Sequence, residues 1–232
     1  MKIGILGAMI SEVSSLCKKL EDYNIETIGS MKFHVGKLHG KDVIIVQCGI
    51  GKVNACICAQ LLISNFGISH LVNTGIAGAM ASGLGILDFV VSEHAVYHDV
   101  DVQAFGYPVG QIPGLELEFK ADIQMVEKAK KAFSMSEISK NHKMISGRIA
   151  SGDQFISGGE RKEFIKNTFN PACVEMEGCA IAQTAFINKI PFVIIRCMSD
   201  MADDNVESVY NFNEEEAAEI SANFVEQFIK TF

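Results

Sequence analysis

Cys173-Val174-Glu175-Met176-Glu177-Gly178, followed by the apolar run Cys179-Ala180-Ile181-Ala182-Gln183-Thr184-Ala185-Phe186-Ile187, is the stretch from which the fold can be read. Asn170-Pro171 marks a turn, and the small and branched residues after it read as the end of a strand. Ala, Ile, Gln and Phe then favour a helix that ends near Asn188 as Pro191 approaches. A strand-to-helix junction in an open α/β protein lies beyond the carboxyl end of the strand, where such folds bind ligands. Glu175 and Glu177 are therefore candidate ligand contacts, with a plainer reading beside that one: acids in a first turn complement the positive end of the helix dipole.

The neighbouring segments extend the same alternation. Lys2 to Gly7 reads as a strand, and from Met9 onward Val13, Leu16, Cys17 and Leu20 recur at helical spacing, with Glu12 in the first turn. Phe33 to Leu38 and Asp42 to Cys48 form two strands around the His39-Gly40 turn. Gly49-Ile50-Gly51-Lys52 opens a helix that is apolar on most faces and is expected to be largely buried. That segment superficially matches a phosphate loop, but the earlier glycine and the following Ser or Thr are missing, so no nucleoside-triphosphate site is expected. A strand at His70 to Thr74 leads into a loop, Gly75-Ile76-Ala77-Gly78-Ala79, and further strands are expected near Leu87 to Val91 and Ala95 to Val100.

Asp101 to Lys120 follows neither periodicity and holds Pro108 and Pro113 among Phe105, Tyr107, Ile112 and Leu115. A loop of this length is usually functional, and its apolar content suits a cover for the site or for a second subunit; a packed surface flap is the plainer reading. Ile123, Val126 and Phe133 mark a surface helix, and Met144 to Ser151 a strand running into Gly152-Asp153-Gln154-Phe155-Ile156. Pro191 to Met198 is nearly continuously apolar and β-branched and reads as a central strand that delivers Ser199-Asp200 to its carboxyl end. Desolvation at such a place raises the pKa of a carboxyl group, which makes Asp200 an active-site candidate, although a loop cap is the competing reading. A last helix is expected from about Glu214, capped by Asn213, with Ala217, Ile220, Phe224, Phe228 and Phe232 packing on the core. Interleaved strands and helices over residues 1–232, with no linker, predict a single-domain three-layer α/β/α sandwich around a mixed, twisted sheet.

Composition narrows the function classes. A formal charge of -8 argues against nucleic acid or an acidic membrane surface as partner. Seven scattered cysteines without a CxxC pair read as reduced thiols of a cytoplasmic protein. The apolar run at Met1–Ile10 is short and lacks a cleavage pattern, so no export is expected, and the uncharged run Leu71 to Leu87 is too rich in glycine for a membrane helix. No metal-ligand cluster or cofactor motif is visible.

Several pieces, each weak alone, resemble one family in their order and spacing: Gly4-Ile5-Leu6-Gly7-Ala8-Met9 with Glu12, Gly49-Ile50-Gly51-Lys52-Val53, Asn73-Thr74-Gly75, Tyr97-His98-Asp99 with Ala104-Phe105-Gly106, Ser151-Gly152-Asp153 with Phe155-Ile156, Val174-Glu175-Met176-Glu177, and Ser199-Asp200 with Ala202-Asp203. Together they are similar to the 5′-methylthioadenosine/S-adenosylhomocysteine nucleosidases of the nucleoside phosphorylase superfamily. The resemblance implies hydrolysis of the bond between adenine and a 5′-thio-substituted ribose, without a cofactor, by a homodimer. It implies Asp200 as the acid at the purine, with Ser199 beside it, and Glu12 as the base that activates water. It assigns Glu177 to the ribose hydroxyls, Met176 to the sugar face and Glu175 to the water. Phe155 would stack on adenine and the Ile156 backbone read its edge, while Ile76 and Gly78 lie beside the substrate. Met9, Ile50 and Phe212 match the 5′-alkylthio pocket, and Val102, Phe105 and Pro113 match residues that a neighbouring subunit brings to it.

Two departures stand out: Ile76 occupies a position where the family pattern has serine, and Ile10-Ser11 replaces acidic neighbours of the catalytic glutamate. Both bear on substrate preference and affinity. A purine nucleoside phosphorylase would need cations for phosphate, and of Arg148, Arg161 and Arg196 only the last lies in a site-like segment. A futalosine-type hydrolase would share nearly all of these residues, and a nucleoside sensor without turnover would share the pocket, so both readings stand beside the nucleosidase.

Overall fold

The computed structural model describes the backbone of residues 1–202 and 206–232 and the side chains of residues 1–202 and 213–232. In chain order its elements are β1 (Lys2–Gly7), α1 (Ile10–Cys17), β2 (Glu21–Ile28), β3 (Met31–Leu38), β4 (Lys41–Gln47), α2 (Lys52–Phe66), β5 (His70–Ala79), β6 (Phe89–Tyr97), β7 (Phe119–Lys120), α3 (Ile123–Ser134), β8 (Met144–Ser151), α4 (Gly159–Phe169), β9 (Cys173–Glu175), α5 (Gly178–Asn188), β10 (Phe192–Asp200) and α6 (Val206–Ile229).

β10 shows why the layers form. Every residue of this strand is buried, and successive side chains point to opposite faces. Phe192, Ile194 and Met198 pack with Ala59 and Leu62 of α2 and Ile181 of α5. Val193, Ile195 and Cys197 pack with Leu16 of α1, Phe133 of α3 and Phe224 and Phe228 of α6. The expected sandwich follows directly, with a mixed sheet between two helical layers.

The sheet runs in the order β10-β6-β8-β9-β5-β1-β4-β3-β2, with β7 beside β6 and a further pairing of β10 to β5. That last pairing closes β5, β10, β6, β8 and β9 into a ring, while β1, β4, β3 and β2 extend from it as an open sheet. β1, β5 and β10 are parallel, so Gly7, Ala79 and Asp200 end on one side of the molecule.

Four expectations change. The segment Gly75–Ala79 is the buried second half of β5, paired with β10 and β9 along its length. Gly75 and Gly78 interrupt the apolar pattern because other groups crowd them there: a Cβ at Gly75 would collide with Arg196 and Glu12, and one at Gly78 would sit 2.9 Å from Asp200 Oδ1. The two strands expected between Leu87 and Val100 are one, β6, whose polar Ser92-Glu93-His94 centre is absorbed by a register shift against β8. α2 is buried on one face only, through Ala55, Cys58, Ala59, Leu62 and Phe66, and exposes Val53 and Ile57 on the other. α6 starts at Val206 and passes through Asn213, since one interior asparagine costs a long helix only about 0.7 kcal/mol or less.

Candidate active site

Glu12 is placed by local chemistry. It is the third residue of α1, and its Oε2 accepts the backbone N–H groups of Ala8 (2.6 Å) and Met9 (3.0 Å), as an N3 acid does in a capping box. Its Oε1 reaches across to β5 and accepts the Ile76 N–H at 3.0 Å. The dipole reading and the catalytic reading thus describe one carboxylate, which both caps its helix and lines a cavity. Burial pushes the Glu12 carboxyl above its ordinary value, against the opposing pull of Arg196 and the three amides. At Ile76 the backbone makes the contact with Glu12, so a serine hydroxyl is not needed to hold this carboxylate.

Glu175 and Glu177 have different surroundings. Glu175 Oε2 accepts the N–H groups of Glu177 (3.1 Å) and Gly178 (2.7 Å), capping α5, and also takes the Arg196 guanidinium. Its Oε1 accepts the Ser151 hydroxyl, which in turn accepts the Cys179 N–H at 2.7 Å. Arg196, fully buried on β10, also donates to Asn73 Oδ1 at 2.7 Å and lies 3.7 Å from Glu177 Oε2. Burial would lower the guanidinium's pKa, but Glu175, Glu177 and Glu12 outweigh that and hold it charged. Glu177 Oε1 accepts the Gly51 N–H at 2.9 Å. Burial first, then the repulsion of Glu175, lifts the Glu177 carboxyl to about 7.

Asp200 closes β10. Its Oδ2 accepts the Ser199 hydroxyl (2.8 Å) and its Oδ1 the Ala202 N–H (2.7 Å). Both Ser199 and Asp200 face one cavity. Met9, Glu12 and Ile50 line one side of it, Ile76 and Gly78 of β5 the back, and Glu175, Met176 and Glu177 the floor. Phe155 and Ile156 line the remaining wall; Ile156 is buried, whereas Phe155 is 53% exposed. Val102, Phe105 and Pro113 do not line this cavity, and Phe105 is 79% exposed. Phe212 lies outside the residues whose side chains are described. The described lining contains no lysine or arginine, and no group of three or more metal-ligating side chains is found among the described residues.

Comparison with known proteins fits this arrangement. The sequence model of the phosphorylase superfamily matches residues 2–230. A 5′-methylthioadenosine/S-adenosylhomocysteine nucleosidase of Staphylococcus haemolyticus is 42% identical over 229 residues, covering 98% of this chain and 99% of that protein. This chain belongs to that nucleosidase family. The crystal structure of the family member from Colwellia psychrerythraea 34H, in complex with adenine, superposes with a TM-score of 0.95 at 40% identity, covering 100% of this chain and 95% of that one. A futalosine hydrolase of Helicobacter pylori is also similar, with a TM-score of 0.94 at 32% identity over 100% of this chain and 98% of that one.

For this member of the nucleosidase family, sequence reasoning missed the supporting residues. Ser151 and Asn73 carry no role in the sequence reading, and Arg196 enters it only as the one arginine in a site-like segment; all three are held by the site's acids or hold Arg196 itself. The available signal was a lone arginine inside a β-branched central strand, since a buried cation demands acidic partners. Gln154 also lines the cavity without having been singled out. Among the described residues no helix is long and apolar enough to cross a membrane.

Proposed function

We propose that this chain hydrolyses 5′-methylthioadenosine and S-adenosylhomocysteine to adenine and the 5′-thio-substituted ribose. One observation carries the reading: Glu12, Glu177 and Asp200 converge on a single cavity whose described lining contains no cation. As the bond between C1′ and N9 breaks, its electron pair goes to the purine and positive charge builds on the ribose ring. Asp200 gives its proton to the purine N7, which makes adenine a neutral leaving group. The opposite face of the sugar takes a water whose proton passes to Glu12, and the new C1′–O bond completes 5-methylthioribose. Glu177 accepts the ribose hydroxyls, Met176 packs beneath the sugar, and Phe155 stacks on the base while the Ile156 backbone meets its edge. Glu175 holds Arg196 and, through two amides, the start of α5, and its Oε1, which accepts only the Ser151 hydroxyl among the described residues, helps to hold the water.

Phosphorolysis would require a cationic phosphate site. Arg196 is committed to Glu175 and Asn73 beneath the floor, which favours water as the nucleophile. The first test is adenine release from 5′-methylthioadenosine with and without phosphate, identifying the sugar product. Free 5-methylthioribose at a rate indifferent to phosphate is expected; 5-methylthioribose 1-phosphate would replace this reading with phosphorolysis. Asp200→Asn should lower kcat by about 1,000-fold while ligand binding persists, within the range for removing a general acid. The likeness to a futalosine hydrolase supports a second reading, tested by adding 6-amino-6-deoxyfutalosine and 5′-deoxyadenosine to the substrate panel.

We also infer a cytoplasmic homodimer. The exposed apolar residues Val53 and Ile57 of α2 and Phe186 and Ile187 of α5, with Phe105 on the long loop, favour a second copy that covers them. Val102, Phe105 and Pro113 would then enter the partner's 5′ pocket. Sedimentation equilibrium should return twice the chain mass, and a monomer with full activity would overturn the shared pocket.

A further inference from the structure

Two successive amides at the start of α2 hold two different carboxylates. Gly51 N–H donates to Glu177 Oε1 (2.9 Å), and Lys52 N–H donates to Asp153 Oδ1 (2.8 Å). Asp153 immediately precedes Gln154, Phe155 and Ile156, the wall assigned to the base. The Lys52 ammonium spans the same gap: it lies 2.6 Å from Asp99 Oδ2, 3.8 Å from Asp153 Oδ2 and 5.3 Å from the Tyr97 ring centroid. Asp99 Oδ2 also accepts the Asp153 N–H at 2.9 Å. Three segments distant in sequence, after β4, after β6 and after β8, are thereby joined at one point.

The joint has the features of a built device. The Asp99 side chain is only 12% exposed and that of Lys52 23%, so the pair is better shielded from solvent than an ordinary surface bridge. Burial acting alone would raise the Asp99 carboxyl, but the Lys52 hydrogen bond and the Asp153 amide outweigh it and hold it below the usual carboxylate range. Gly51 has a φ of 96°, and a Cβ there would stand 3.1 Å from Asp153 Oδ1, so the close approach favours glycine. The Gly-x-Gly-Lys motif that superficially matches a phosphate loop therefore binds the protein's own acids.

We propose that Lys52 is a positioning residue, which with Asp99 and Asp153 fastens the base-stacking segment to the same helix end that holds Glu177, so that purine and ribose are gripped by one rigid frame. This rests on the reading of Phe155 as the stacking group. A frame of this kind acts on affinity: it removes the need to order the wall when the base arrives, and leaves the proton transfers at Asp200 and Glu12 untouched.

The test compares wild type, Lys52→Met, Lys52→Arg, Phe155→Ala and the Lys52→Met/Phe155→Ala double variant. Steady-state kinetics on 5′-methylthioadenosine and calorimetric titration with free adenine are the two readouts. Lys52→Met should raise KM and weaken adenine binding by about ten-fold each, with kcat within about two-fold; Lys52→Arg should recover most of the loss. In the Phe155→Ala background Lys52→Met should cost less than about two-fold further, because the group it positions is gone. Unchanged adenine binding in Lys52→Met, or a full additional loss in the double variant, would overturn the proposal. Should Lys52→Met not fold, Asp153→Ala cuts the clasp from its exposed end and carries the same expectations. If the wild type binds adenine but releases none from the nucleoside, the proposed function fails, and the titrations still decide the role of Lys52.

Discussion

Glu175 and Glu177 stand two residues apart, yet the protein surrounds them in opposite ways. Glu175 accepts from Ser151, Arg196 and the N–H groups of Glu177 and Gly178. Glu177 takes a single amide, that of Gly51, and has Arg196 only at 3.7 Å. The first is an anion with four donors around it, and it locks β8, β9, β10 and the start of α5 together. The second keeps acceptor capacity turned toward the cavity and carries a carboxyl group raised to about 7 by burial and by its neighbour. A buried acid with its partners supplied is architecture, and one with its partners withheld is stored recognition capacity.

The severest way to break this contrast is to remove the cation. Arg196→Met should destabilise the protein by about 3 to 5 kcal/mol, because Glu175 would be left charged and buried while Glu177 and Glu12 lose their nearest positive neighbour. Urea unfolding followed by circular dichroism would measure it, and a loss below about 1 kcal/mol would mean that the cluster is held by its amides alone.

A subtler exchange separates the two acids. Glu177→Gln should raise KM for the nucleoside by about ten-fold to a hundred-fold, the cost of losing charged hydrogen bonds to the ribose hydroxyls, with no loss of stability. Glu175→Gln should do the reverse, lowering the unfolding midpoint more than it raises KM. Equal effects on both quantities for both variants would erase the distinction.

How far this contrast is legible in the sequence can be stated residue by residue. The continuous apolar, β-branched run of β10 and the turn before Cys173 place Asp200, Glu175 and Glu177 at strand ends, because residue patterning and turn chemistry are local. Resemblance supplies the roles, which no local pattern carries. What stays hidden is pairing at long range: Arg196 meets Asn73 across 123 positions and Glu177 meets Gly51 across 126, and nothing near either residue announces the partner. Of the elements that go unread, β7 is only two residues long, and β2 and α4 are polar. β2 is exposed along nearly its whole length, so it has no buried face to leave an alternating signature, and α4 buries only Ile165 and Phe169. α2 misleads in the other direction, since its outer face also carries apolar residues, Val53 and Ile57.

The pH response sharpens the comparison most finely, because stability and binding should move oppositely. Glu177 titrates near 4.5 when unfolded and about 7 when folded, so between those values the folded state holds more protons than the unfolded one. Stability is then greatest toward the lower end of that window and declines as pH rises to about 7, after which this contribution is flat. Glu12 is raised in the same direction and adds to the slope. Nucleoside binding runs the other way: the ribose hydroxyls need an ionised acceptor, so KM should rise as pH falls below about 7. Glu177→Gln should flatten the KM profile and remove part of the stability slope, leaving the share that belongs to Glu12. A Glu177→Gln protein that kept the wild-type rise in KM below pH 7 would move the titrating acceptor elsewhere in the cavity, and with it the claim that Glu177 was left unsaturated for the ribose.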